Sequence, residues 1–253
     1  MPARLPFDRV ASIYDATRTI PPKVNARLVH GLLEQLRGKR VLEVGVGTGR
    51  FAVPLQKSGI DLVGIDISRK MVDLGLAKGL RNVVFADGAR LPFAPRSFDV
   101  ATTNHVLHLI PDWRDVLIEI ARVTRESYAT IIEKVDARWS IKREYDRLAK
   151  ELGYEWIAPG LHERDLPELL RPDLVMPVGP FQDDVPADAI LAELERRDYS
   201  SQWEVPEAIH GRAMASLREA WAGREIARTL TVDVCFWRID RLAELARSPA
   251  QTS

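Results

Sequence analysis

Apolar residues in the first half of this chain come in short continuous runs, and each run closes on or just before a polar residue. Val41-Leu42-Glu43-Val44 leads into glycines at 45, 47 and 49, and Leu62-Val63-Gly64-Ile65 ends at Asp66. Val83-Val84-Phe85 is followed by Asp87, Phe98 to Thr103 by Asn104, and another run covers Ala129 to Ile132. Helical stretches begin at Ser68 and at Pro111 between these runs. Short apolar runs alternating with helices predict βαβ units and a parallel sheet covered on both faces. Two other periods occur. Leu230, Val232, Val234 and Phe236 alternate, which predicts a half-buried strand over 229–238. Phe7, Val10, Ala11 and Tyr14 recur at helical spacing. Between 136 and 228 the pattern predicts helices over 140–152, 163–170, 187–198 and 206–222 around a strand near 174–181.

The glycine trio changes the picture from fold to chemistry. A backbone that passes close to a ligand or takes positive φ excludes a Cβ, and a following helix points unpaired N–H groups at whatever the turn holds. A carboxylate about 20 residues on accepts hydrogen bonds from ribose hydroxyls, and Asp66 stands there. Glu43, Asp66, Asp87 and Asn104 fall at or just past the carboxyl ends of four successive predicted strands, where open parallel sheets bind ligands. Nicotinamide sites favour Gly-x-Gly-x-x-Gly, but Arg50 occupies the third glycine's place. None of the tyrosines has a lysine four residues on, which argues against a short-chain reductase.

With these motifs in hand, the chain resembles the class I S-adenosylmethionine-dependent methyltransferases, within them the ubiquinone-biosynthesis-like, type 11 small-molecule group. VLEVGVGTGR (41–50), VGIDISRKMV (63–72), FADGARLPFAPRSFDV (85–100) and TTNHVLHLIPDW (102–113) carry the resemblance, with FDRVASIYDATR (7–18) as an amino-terminal helix. It implies an α/β fold: a doubly wound, Rossmann-like seven-stranded sheet, mostly parallel with an antiparallel C-terminal strand, plus a small helical cap. As one domain this gives a helical lid (1–37), a cofactor-binding core (38–135), a cap (136–228) with the sixth strand, the last strand (229–238) and a tail (248–253).

The resemblance also implies roles. Gly45, Gly47 and Gly49 cradle the methionine part of the cofactor, with Glu43 ordering the turn or contacting the amino group. Asp66 holds the ribose hydroxyls, and Ile67 and Met71 pack on adenine. Asp87, beside Ala86 and Gly88, accepts from the adenine amino group. Asn104 and His105 close the site near the sulfonium, and Tyr14 and Arg18 cap the cofactor. Bland readings stand beside these: Asp87 before a glycine as turn chemistry, Tyr14, Ile67 and Met71 as packing residues, Arg18 as a solvated charge. One departure is visible, since relatives enter the fifth strand through Lys-Pro-Gly-Gly where this chain has Thr124-Arg125-Glu126-Ser127.

Methyl transfer by in-line displacement asks mainly for alignment, and a base only where the acceptor must lose a proton. His105 and His108 are the residues available for that task, with His108 equally readable as a packed histidine. No metal-ligand cluster is evident, and Asp183-Asp184 reads as a solvated loop pair, so transfer is expected to be metal-independent. A cofactor-binding partner protein without turnover, or less readily a nicotinamide oxidoreductase, remains as an alternative. Trp139, Tyr145, Tyr154, Trp156, Tyr199, Trp203 and Trp221 concentrate in 136–228, either to line a pocket for an apolar or aromatic small molecule or to fill the cap's own core. With 36 basic against 36 acidic residues no nucleic-acid partner is expected. The start lacks the apolar segment of a signal peptide and no run approaches a bilayer span, so a cytoplasmic protein without membrane insertion is expected. The single cysteine, Cys235, excludes an internal disulfide.

Overall fold

The structure, a computed structural model, describes residues 22–135 and 137–248 together with Ala11 and Tyr14. Most of the predicted 7–18 helix, including Arg18, and the tail beyond Ser248 lie outside the described residues. The order runs α1 (Pro22–Leu36), β1 (Arg40–Val44), α2 (Ala52–Lys57), β2 (Asp61–Asp66), α3 (Arg69–Ala77), β3 (Val83–Phe85) and β4 (Phe98–Thr103). It continues through α4 (Trp113–Val123), β5 (Thr124–Val135), α5 (Ala137–Glu151), α6 (Leu166–Leu169), β6 (Leu174–Pro177) and β7 (Phe181–Pro186). It ends with α7 (Ala187–Glu195), α8 (Glu207–Trp221), β8 (Glu225–Arg238) and α9 (Ile239–Arg247).

The sheet has the order β3-β2-β1-β4-β5-β8-β6, with β7 also paired to β8. β1 runs parallel to β2 and β4, β2 to β3, and β4 to β5. β6 and β7 are antiparallel to β8. The doubly wound, mostly parallel sheet expected from the sequence is therefore present, and its order reverses between β1 and β4. That reversal opens a crevice at the carboxyl ends of the two strands.

Two segments differ from the sequence reading. The strand placed near 174–181 is two strands, β6 and β7, so the sheet has eight members instead of seven. Pro177 and Pro180 bracket the break, and neither can donate a backbone hydrogen to a ladder. Thr124-Arg125-Glu126-Ser127 is not a connecting turn. Thr124 pairs with Phe98 and Ser127 with Val100, so α4 passes straight into β5. Every one of those four residues keeps its N–H and three carry no turn preference, whereas Lys-Pro-Gly-Gly would stop the ladder.

The chain divides into two compact units, one of Met1–Ile132, Pro159–Val178 and Asp233–Ser253, the other of Glu133–Ala158 and Gly179–Val232. In the first, Leu42, Val44, Val63 and Ile65 of the sheet share a core with Val116, Leu117 and Ile120 of α4 and Leu242 and Ala246 of α9. Tyr128 and Trp237 are fully buried there, their ring centroids 5.8 Å apart, and Trp237 Nε1 donates to the Leu170 carbonyl at 2.6 Å. In the second, Ile141, Tyr145, Leu194, Met214 and Leu217 form a separate core. Tyr145, Tyr199 and Trp203 are buried within this unit, and Tyr145 Oη lies 2.7 Å from His210 Nδ1. These aromatics take the packing reading of the two left open by the sequence. Asp183 and Asp184 lie on β7, not in a loop, because β8 pairs with that segment and Arg228 Nε donates to Asp183 at 2.7 Å. No helix among the described residues is long and apolar enough to cross a membrane.

Local signals set the helix that follows β2. Ser68 caps α3, its hydroxyl accepting from Met71 N at 3.2 Å. Ser68→Ala is expected to cost about 1 kcal/mol, the usual value of such a cap; urea unfolding at neutral pH measures it, and an unchanged midpoint would deny the cap any weight.

Candidate functional site

The turn after β1 is built on backbone conformations that side chains resist. Gly45, Gly47 and Gly49 have φ of 77°, 54° and 73°. Gly45 N and Val46 N both donate to the Ile65 carbonyl at 2.9 Å, which ties the turn to β2. A methyl group added at Gly45 would lie 2.6 Å from Val106 Cγ2, so the turn and the segment after β4 approach as closely as a bare backbone allows. Gly49 does different work: a Cβ there would meet Val53 and Leu80, on the helix side of the turn.

Beside this turn lies a cleft of about 330 Å³. Gly45, Gly47 and Asp66 line it, with Ile67 and Met71 from the start of α3 and Ala86, Asp87 and Gly88 after β3. Asn104 and His105 line it from the end of β4, and Tyr14 contributes from the amino-terminal region. Most of the residues picked out in the sequence thus converge. Gly49, Glu43 and His108 are not in the lining. The lining also includes Ser68, Val106, Leu109 and Ile110, which the sequence reading did not single out. Its titratable side chains are Asp66, Asp87, His105 and Tyr14, with neither lysine nor arginine among the described lining residues.

Asp66 is the hinge of the site. Its Oδ2 accepts from Gly47 N and its Oδ1 from Ser68 N, both at 2.8 Å. A carboxylate with two lone pairs per oxygen retains acceptor capacity after taking one N–H on each, so the group that orders the glycine turn can also face a ligand. Asp87 accepts from Ala89 N at 2.9 Å, which is turn chemistry, while still lining the cleft. Ile67 is 62% exposed beside it, and Met71 is buried with its Cε 3.2 Å from the position of a Cβ on Gly47.

Under the turn, Glu43 is buried at 2% exposure, with Asn104 Nδ2 donating to its Oε1 at 3.1 Å. Asn104 Oδ1 in turn accepts from Ile131 N at 3.2 Å, so one amide links β1, β4 and β5 at the switch point. Burial pushes the Glu43 carboxyl up to about 7; the Asn104 hydrogen bond opposes the rise and the charge of Asp66 adds to it.

His108 is turned away from the cleft. Its Nδ1 lies 3.6 Å from Glu163 Oε2, and its ring stacks on His162 with centroids 4.9 Å apart. Glu163 is itself buried, although in the sequence it is one acid in the polar run His162-Glu163-Arg164-Asp165. Among the described residues no group of three or more His, Cys, Asp or Glu is placed to hold a metal ion.

A doubly wound sheet, a glycine turn at its switch point and carboxylates closing successive strands define a nucleotide-cofactor fold, and the acidic lining suits a cationic, ribose-bearing cofactor. Residues 42–132 match the family described as methyltransferase domain. A demethylmenaquinone methyltransferase of Corynebacterium glutamicum (strain R) is 37% identical over 123 residues, 47% of this chain and 53% of that protein. The chain spans about half the length of the demethylmenaquinone methyltransferases it matches. An uncharacterised protein of Methanocaldococcus jannaschii is 28% identical over 165 residues, covering 65% of this chain and 78% of that one. A solved S-adenosylmethionine-dependent methyltransferase of Thermotoga maritima superposes with a TM-score of 0.50 at 20% identity, covering 91% of this chain and 97% of that chain. The YcgJ protein of Bacillus subtilis gives 0.51 at 16% identity over 83% and 97%. Likeness at such identities shows the fold. The match to the methyltransferase-domain family thus covers residues 42–132, well under half of the chain, and the fold is the one seen in a class I S-adenosylmethionine-dependent methyltransferase.

Proposed function

We propose that this protein transfers a methyl group from S-adenosylmethionine to an apolar small-molecule acceptor. The observation that carries the reading is the cleft at the switch point, where a glycine turn without Cβ atoms meets Asp66 and Asp87, with neither lysine nor arginine among the described lining residues. In this reading Gly45 and Gly47 take the methionine part, Asp66 the ribose hydroxyls, Ile67 and Met71 the faces of adenine, and Asp87 the adenine amino group. Asn104 and His105 stand nearest the reacting end.

When bound, the cofactor supplies an electrophilic methyl group on a sulfonium. The chain's own residues supply alignment and exclusion of water, which account for much of the rate in a displacement of this kind. Val106, Leu109 and Ile110 give the cleft an apolar wall, and an apolar wall fits an apolar acceptor. The relatives named demethylmenaquinone methyltransferases, whose name points to a quinone-type acceptor, agree with that choice. His105, in the lining, is the imidazole available to take a proton from an acceptor hydroxyl or amine; His108 faces Glu163 instead.

Thermal unfolding tests the reading. S-adenosylhomocysteine at about 100 times its Kd is expected to stabilise the fold by about 2.7 kcal/mol, while NADH leaves it unchanged. Calorimetry that detects binding of neither sulfur cofactor would sink the proposal. Transfer of labelled methyl into quinone-type acceptors then tests turnover, and binding without transfer to any acceptor would favour a non-catalytic partner.

A further inference from the structure

The wall formed by residues 105–110 begins at a strained position. His105 has φ of 57°, a left-handed conformation that a residue with a side chain keeps only where its surroundings over-determine it. Its surroundings arrive from a segment more than 50 residues later. Glu163 Oε1 accepts from Val106 N at 2.6 Å and from Leu107 N at 2.9 Å, the two N–H groups directly after the left-handed residue. Glu163 Oε2 faces His108 Nδ1 at 3.6 Å. Gly160 N donates to the His108 carbonyl at 3.1 Å. A Cβ on Gly160 would lie 2.1 Å from the Leu107 carbonyl oxygen and 2.3 Å from that of Ile110, so only glycine lets the two segments lie this close. The His108–His162 stack, with rings 12° from parallel, closes the same contact.

Burying a carboxylate is costly unless its partners replace water. Burial alone would raise Glu163, but the neighbouring His108 imidazole, the charge of His105 and the Leu107 N–H bring it down to about 2. The compensation is directed at one target, the backbone and imidazoles of the cleft wall.

We propose that Glu163, seated by Gly160, is a positioning residue for the methyl-transfer site: it holds the left-handed turn at His105 and so fixes the wall carrying His105, Val106, Leu109 and Ile110. This rests on the functional reading above for what the cleft binds; the clamp itself is a property of the free chain. Glu163 touches neither cofactor nor acceptor in this role. It acts through the wall.

Amide exchange at Val106 and Leu107, followed by NMR, and calorimetric titration with S-adenosylhomocysteine test the proposal on the wild type, Glu163→Ala, Glu163→Gln and Gly160→Ala. Glu163→Ala is expected to speed exchange at both amides by about ten-fold or more, with Leu42 and Ala101 in β1 and β4 unchanged, as for a local opening. The same variant is expected to weaken cofactor binding about ten-fold. Glu163→Gln keeps an oxygen for the two N–H groups and is expected to restore both readouts to within about three-fold of wild type. Gly160→Ala should move both in the direction of Glu163→Ala, and it carries the test if that variant does not fold. Unchanged exchange at Val106 and Leu107 overturns the proposal. So does exchange that rises equally across the sheet, or cofactor affinity that stays at wild type once the clamp has opened. A wild type that binds no S-adenosylhomocysteine overturns the functional reading and any role of Glu163 toward that ligand, while the exchange measurement separately reports whether the clamp exists.

Discussion

Asp66→Ala is expected to weaken S-adenosylhomocysteine binding by about 3 kcal/mol, roughly 150-fold in Kd, the scale of losing hydrogen bonds to one charged group. Two effects add. The ribose loses its proposed acceptor, and the glycine turn loses its tie, because Gly47 N and Ser68 N both donate to this carboxylate. Asp66→Asn separates them. An amide presents one acceptor and one donor, so one of the two N–H groups keeps its partner and the other meets an N–H. Its affinity should fall between wild type and alanine. Calorimetric titration of the three proteins measures the series. If alanine binds within about three-fold of wild type, far below the cost of one such bond, Asp66 is a turn residue and nothing more.

The same residue shows why so much of the site could be read from the sequence. Strands buried on both faces are continuous apolar runs, so the residue that ends each run marks the carboxyl edge of the sheet. Asp66, Asp87 and Asn104 were visible for that reason, and the structure places all three in the cleft lining. Glycine spacing was less informative. All three glycines have positive φ, yet Gly45 and Gly47 line the cleft while Gly49 backs onto Val53 and Leu80. Spacing records the shape of a turn, not which side of it is open.

Glu163 was not legible at all. It sits in a short polar stretch whose local pattern predicts an exposed helix start, and its burial comes from Val106 and Leu107, 57 and 56 residues earlier in the chain. A contact of that range leaves no periodicity behind. The helix α9 was different, since Ile239, Leu242, Leu245 and Ala246 do recur at helical spacing and pack on the main core. That signal directly follows the alternating strand and spans little more than two turns, so the two periods run together in the sequence. Between β6 and β7 the interruption at Pro177 and Pro180 is also present in the sequence, but the three residues separating the strands are too few for a period to show where one strand stops.

Glu43→Gln is expected to remove a pH dependence of stability that the wild type carries across neutrality. The folded carboxyl stands at about 7 against an ordinary value of 4.5, raised first by burial and then by the charge of Asp66, against the Asn104 hydrogen bond. A group whose folded pKa is raised contributes stability while it is protonated, below about 4.5, and loses it as pH climbs through 7. Over pH 5 to 8 that loss amounts to roughly 2–3 kcal/mol. Glu163 does not obscure it. With its folded carboxyl at about 2, its contribution is complete above the unfolded value of 4.5 and falls away only in acid. His162, lowered to about 4 by burial and by the charge of His108, gains stability as pH rises toward 6.5, but it does so in both proteins and cancels between them. Glutamine keeps an oxygen for Asn104 Nδ2, and the neighbouring cavity of about 20 Å³ is large enough for one water to serve its amide. Urea unfolding of both proteins at pH 5 and pH 8 therefore isolates one carboxyl. The variant should gain on the wild type as pH rises, and parallel profiles would mean that Glu43 is ionised in the folded protein throughout, with the Asn104 amide strong enough to hold a buried charge at the switch point.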